Sequence, residues 1–143
     1  MVGVPVLAGE LALPVDGVRE PFVDVEDVAD VAVAALTEDG HGGEVYELTG
    51  PRALIFAEAA ELVGRASERP VAYRRVPPAE YAAGLVDEGW GEDAAHHVAE
   101  MFVLMERGGL AAPTDDVAAV LGRAPRTFED YVVRAAAAGA WRR

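Results

Sequence analysis

Three histidines and a short run of acids are the groups in this chain suited to proton transfer. His41 sits in Asp39-Gly40-His41-Gly42-Gly43, a turn that would leave an imidazole free to titrate near neutral pH. It reads either as a general base or as an ordinary exposed turn residue. His96 and His97 are adjacent, and neighbours on a helix point about 100° apart, so they do not chelate one metal ion. His97 lies one turn from both Asp93 and Met101, an arrangement that would set an imidazole beside a carboxylate at a pocket edge. Asp24, Glu26 and Asp27 form a carboxylate cluster. Facing carboxylates can divide acid and base roles, while acids at a helix start are also favoured by its dipole alone. Asp24, Asp27, His41 and His97 are therefore the catalytic candidates, each with a purely structural reading beside it.

Other chemistries are excluded by residue type. The chain has no Cys, which removes disulfides and thiolates. Ser67 is the only serine and lacks a G-x-S-x-G context. No HExxH run or third ligand at usable spacing accompanies the histidines, so no metal is expected. No G-x-G-x-x-G run occurs, so the chain by itself is expected to hold no nicotinamide cofactor, and no other cofactor is expected. The formal net charge is −13, from 25 acidic and 12 basic residues, the latter all Arg. That field repels nucleic acid and anionic membrane surfaces alike, and neither is an expected partner. The first twenty residues lack a basic region and are broken by Pro5, Gly9 and Pro14. They read as neither signal peptide nor anchor, and cytoplasmic residence is the default expectation.

The large groups available to line an apolar cleft are Phe22, Tyr46, Tyr81, Trp90, Met101 and Met105, together with Phe102. A cleft of this kind with a few polar groups suits a small apolar molecule. A Met/Phe stripe at helical spacing equally suits plain core.

These side chains need elements to position them. The stretch Val2–Leu13 alternates loosely and predicts one or two strands, and Val15-Asp16-Gly17-Val18 has hairpin-turn composition. Residues 20–25 are biased toward extended backbone by Pro21. Asp24 then predicts a helix N-cap, with Val28, Val31, Ala32, Ala35 and Leu36 as the apolar stripe. Glu44–Leu48 predicts a strand with Val45 and either Tyr46 or Leu48 inward, and Val71–Val76 another. Helices are predicted over Phe56–Ser67, Glu80–Glu88, Glu92–Glu106, Asp115–Leu121 and Phe128–Ala138, the fourth capped by Thr114 and the last opened by a Thr127/Asp130 capping box. The Glu80–Glu88 helix is opened by Pro77-Pro78, and the Glu92–Glu106 helix carries the stripe Val98, Met101, Phe102, Met105. The outcome is a single α/β domain over residues 1–143, with a small partial sheet flanked by helices.

Three blocks make the order specific: Glu20-Pro21-Phe22-Val23-Asp24-Val25-Glu26-Asp27-Val28-Ala29, then Gly43-Glu44-Val45-Tyr46-Glu47-Leu48-Thr49-Gly50-Pro51, then Thr114-Asp115-Asp116-Val117 followed by Gly122 to Tyr131. Together they resemble the C-terminal, substrate-side half of NmrA-like atypical short-chain dehydrogenase/reductases. The resemblance implies late sheet strands and a helical cap over a substrate, in a family whose N-terminal Rossmann half binds NAD(P). It covers essentially the whole chain, without that Rossmann half. One departure stands out: Ile55-Phe56 occupies a helix start where the family often places Ser or Thr.

Three uses follow as expectations. The first is a cofactor-free domain binding a small apolar molecule, with isomerase, lyase or cyclase chemistry open to it. The second is a subunit completing a split reductase with a separate Rossmann-type chain. The third is a non-catalytic remnant that forms a homodimer.

Overall fold

A computed structural model describes residues 8–108 and 112–141. In chain order these form β1 (Glu10–Leu13), β2 (Arg19–Glu20), α1 (Val25–Thr37), β3 (Leu54–Ile55), α2 (Phe56–Ala66), β4 (Ala72–Arg75), α3 (Pro78–Asp87), α4 (Glu92–Glu106), α5 (Asp116–Leu121) and α6 (Phe128–Ala137). The expectation for Val2–Leu13 is met by β1 at its end, and its first residues lie outside the described ones.

The strands make two small sheets. β1 and β4 run parallel, with Leu11 opposite Tyr73 and Leu13 opposite Arg75. Parallel neighbours require a long crossover, and here it carries α1 and α2. β2 and β3 pair antiparallel, Arg19 opposite Ile55. The segment Val15–Val18 therefore joins two different sheets and closes no hairpin. Long-range bonds decide this: the Val15 carbonyl accepts from the Tyr73 hydroxyl, and the Asp16 N–H donates to Glu106 at 2.9 Å.

Local chemistry sets the helix ends. The Asp24 carboxylate caps α1 by accepting from the Glu26 N–H at 3.0 Å. Thr127 and Asp130 exchange bonds across the first turn of α6, as their spacing predicts. At α2, Ile55 has no capping oxygen, and Glu58 reaches back to accept its N–H at 3.0 Å.

Packing corrects two apolar stripes. On α1 the buried residues are Asp27, Val31 and Ala34, whereas Leu36 is 86% exposed. The helix is rolled by the arginines that hold Asp27, described below. On α4 the buried set is Ala95, Ala99, Phe102 and Met105, and Met101 faces outward. Small residues win at that face because Ala95 and Ala99 pack against Ala82 and Leu85 of α3, where a thin side chain lets the helices approach.

Glu44–Leu48 joins no sheet among the described residues, and Val45 is turned out to solvent. The chain there is fastened to the start of α5: the Glu47 N–H donates to Asp116 at 2.7 Å and its carbonyl accepts from the Thr114 hydroxyl. Thr49 is buried and its hydroxyl accepts the Thr114 N–H at 2.8 Å. Gly50 then passes so close to Pro21-Phe22 that a Cβ would stand 2.0 Å from the Phe22 carbonyl oxygen.

Candidate functional site

A cavity of about 450 Å³ opens between β1, α2, α4 and the start of α6, within the size range of small-molecule sites. Its floor comes from the inward alternate residues of β1, Leu11 and Leu13, and its walls from Phe22, Phe56, Phe102 and Phe128. α2 contributes Ala59, Ala60 and Val63, spaced three and four apart so that they share one helix face. The short alanines there leave the space open.

The rings form a connected set. Phe22 meets Phe56 edge-to-face at 5.3 Å and Phe128 at 5.2 Å, while Phe56 meets Phe102 at 6.0 Å. Tyr81 supports this wall from behind, its ring edge-on to Phe102 at 5.5 Å; burial pushes its hydroxyl pKa up. Polar groups on the lining come from Asp24, Thr127 and Tyr131. The Thr127 hydroxyl is committed to capping α6, and Asp24 to its own cap and to Arg134. Tyr131 lies against Phe128 at 5.8 Å and brings a phenol to the apolar wall.

Asp24 and Asp27 belong to an ion-pair network. The Asp27 side chain is wholly buried and receives the Arg126 N–H at 2.7 Å, the Arg126 guanidinium, and Arg123 at 2.8 Å. Burial alone would push its carboxyl up, but these hydrogen bonds outweigh it and hold the pKa below the ordinary carboxylate value. Asp30 bonds the same two arginines, which lower its pKa as well. The cluster clamps α1 to the segment before α6.

The remaining sequence candidates are dispersed. His41 Nδ1 lies 2.8 Å from the Tyr46 hydroxyl in the loop after α1, away from the cavity lining. His97 is exposed, its Nδ1 2.6 Å from the Asp93 carbonyl of its own helix. Trp90 packs on the α3/α4 cluster. Met105 lies in core with Leu13, Val15 and Phe102. Of the seven large groups named as candidate lining the cavity takes Phe22 and Phe102, and of the four catalytic candidates it takes Asp24. Phe128 and Tyr131 are lining residues that sequence reasoning misses as such, whereas Phe56 belongs to the apolar pair at the start of α2 that the sequence singles out. Phe128 and Tyr131, at i and i+3 on α6, were legible as one helix face.

Among the described residues no group of three His, Asp or Glu is arranged to hold a metal ion, and no helix is long and apolar enough to cross a membrane. Gly89-Trp90-Gly91-Glu92-Asp93-Ala94 has a phosphate-loop-like glycine spacing. It follows helix α3 instead of a strand, and Glu92 and Asp93 fill the first turn of α4 with negative charge.

No protein-family model matches the chain. It is 36% identical over 130 residues to an NAD(P)H azoreductase of Xenophilus azovorans, a match taking in 91% of this chain and 46% of that protein. It is 35% identical over 116 residues to an oxidoreductase of Bacillus subtilis, spanning 81% of this chain and 41% of its relative. Its fold superimposes on the NADPH-dependent quinone oxidoreductase of Escherichia coli with a TM-score of 0.79 and 25% identity, over 91% of this chain and 46% of the enzyme. The chain spans about half the length of the curated relatives it matches, and over that span it is a relative of NAD(P)H-dependent oxidoreductases.

Proposed function

We propose that this chain is the acceptor-binding half of an NmrA-like NAD(P)H-dependent reductase, and that its cavity receives a flat, conjugated organic molecule. The observation that carries this is the cavity itself: about 450 Å³, walled by four phenylalanines and floored by β1. Rings packed edge-to-face around an open space suit an aromatic guest, whose faces and edges continue the same contacts. The names of its relatives point the same way, since azo compounds and quinones are planar conjugated acceptors.

The lining does not suit a dinucleotide. A pyrophosphate needs cations or clustered backbone N–H groups, and the cavity presents hydrocarbon, the Asp24 carboxylate and the hydroxyls of Thr127 and Tyr131, with no cation among its lining residues. NAD(P)H is accordingly assigned to a Rossmann-type half outside this chain, and would supply hydride from there. This chain's own residues orient the acceptor and exclude water. Tyr131 gives the pocket a hydroxyl able to hydrogen-bond a carbonyl or azo nitrogen of the guest.

The test is a titration of the full chain with naphthoquinone, followed by intrinsic fluorescence. Saturable binding is expected, weakened about tenfold or more by Ala60→Leu, which fills the space from α2. Absence of saturation, or binding indifferent to Ala60→Leu in a folded variant, would sink the reading.

A further inference from the structure

The aromatic cavity is electrostatically one-sided. Among the described lining residues Asp24 is the one that carries charge, and no Arg or His stands beside it there. Its carboxylate bonds Arg134, but that guanidinium is shared. Arg134 also faces Glu26 at 3.6 Å, and Glu26 faces Arg126 at 3.4 Å. Followed on through Asp27, Asp30 and Arg123, the network sets four carboxylates against three guanidiniums. One negative charge is left over.

Burial places that charge. The Asp24 side chain is 2% exposed, whereas the three arginine side chains are between 29% and 40% exposed and reach water. Solvent screens the guanidiniums more than it screens Asp24. The rings add to the same sign, since an aromatic face is negative and attracts cations. Phe22 and Phe56 stand at 88° to one another, and Phe56 and Phe102 at 70°, so ring faces are turned in several directions. The net charge of −13 draws cations toward the chain from further out.

Hydrocarbon limits what kind of cation can enter. A compact ammonium loses more hydration in such a cavity than the rings return. A charge spread over a conjugated ring system is more weakly hydrated, as a guanidinium is beside an ammonium, and loses less. An anion finds the hydroxyls of Thr127 and Tyr131 and no positive group among the described lining residues.

We propose that the cavity selects its guest by charge, taking a planar conjugated cation in preference to a neutral molecule of the same shape and rejecting the anion. This rests on the acceptor-site reading and adds to it the sign of the guest's charge.

The experiment titrates the full chain by calorimetry, near neutral pH, with three bicyclic guests: N-methylquinolinium, quinoline and naphthalene-2-sulfonate. The cation is expected to bind about tenfold tighter than quinoline, and the sulfonate about tenfold weaker or worse. Asp24→Asn keeps an oxygen able to cap α1 and removes the charge, and it should shrink the cation-over-quinoline ratio severalfold. Arg134→Gln removes the guanidinium that Asp24 shares and should raise that ratio. Because the ratio is taken within each variant, quinoline binding reports the fold and the ratio reports the charge. Equal affinity for cation and quinoline overturns the proposal, as does a sulfonate that binds as well as quinoline. A ratio that neither substitution moves overturns it too. Naphthoquinone separates the two readings: its failure to bind the parent chain removes the acceptor site itself, whereas its binding without any preference by charge overturns this inference alone.

Discussion

Arg126 donates its backbone N–H to one oxygen of Asp27 at 2.7 Å and its guanidinium to the other, so one arginine grips both oxygens of a carboxylate that is 0% exposed. The partners lie 99 residues apart in the chain. Their bond makes α1 and the start of α6 one unit and fixes the side of the cavity that carries Asp24, Phe22 and Phe128.

Asp27→Ala is expected to cost about 1–3 kcal/mol at neutral pH, because it empties a buried site and leaves the Arg126 N–H without its acceptor, while the part-exposed arginine side chains turn to water. The pH dependence has a definite sign. The folded carboxyl is held below its ordinary value, so its contribution is complete above the unfolded value of about 3.9 and is lost as pH falls through the lower folded value. Urea unfolding at neutral and at strongly acid pH checks this. The gap between wild type and variant should be wide at neutral pH and narrow in acid, and a gap independent of pH would contradict it.

Gly50→Ala is expected to destabilise the chain by about 2 kcal/mol or more, since backbone must move to admit the new carbon. The Cβ would fall 2.0 Å from the Phe22 carbonyl oxygen, and the Gly50 N–H donates to the Pro21 carbonyl at 3.0 Å. Phe22 is a cavity wall, so naphthoquinone affinity should fall with stability. The control is Gly84→Ala, where a Cβ meets nothing within 4 Å. Equal melting temperatures for the two variants would refute the steric account.

Phe102→Ala should cost about 3–5 kcal/mol, the range for emptying a packed aromatic site. Phe102 is 8% exposed and joins Phe56 and Tyr81 to the Leu13/Val15/Met105 core. His97→Ala should stay within about 0.5 kcal/mol of the parent, as its side chain is exposed and its Nδ1 bonds the Asp93 carbonyl of its own helix. Thermal unfolding of both variants separates a structural ring from a surface imidazole.

What the sequence shows clearly is what short range decides. The Asp24 cap and the Thr127/Asp130 box involve groups two and three residues apart, so spacing alone identifies them. The face of α1 is hidden from such reading because its inward residue is an acid, made tolerable by arginines far along the chain. The pairing of Arg123 and Arg126 with that acid is a long-range electrostatic fact with no local periodicity to announce it. The α4 stripe misleads for a different reason: its large side chains stand out in the sequence, while Ala95 and Ala99 are the residues buried against α3. The cavity follows from the same cause, since the space exists where Ala59 and Ala60 do not fill it.

Glu20 supplies the opposite electrostatic case. Its Oε2 is buried with no hydrogen-bond partner among the described residues, and burial pushes its carboxyl pKa up. A folded pKa above the unfolded one stabilises the fold only while the group is protonated, and that advantage disappears as pH rises through the folded value. At neutral pH the ionised form is therefore a cost, and Glu20→Gln should stabilise the chain by about 1 kcal/mol. The gain should shrink as the pH is lowered toward about 4, where the wild-type carboxyl is itself neutral. Urea midpoints of wild type and Glu20→Gln across that interval check both the sign and the trend. A destabilised variant at neutral pH would mean that the ionised carboxylate has a partner worth more than its desolvation.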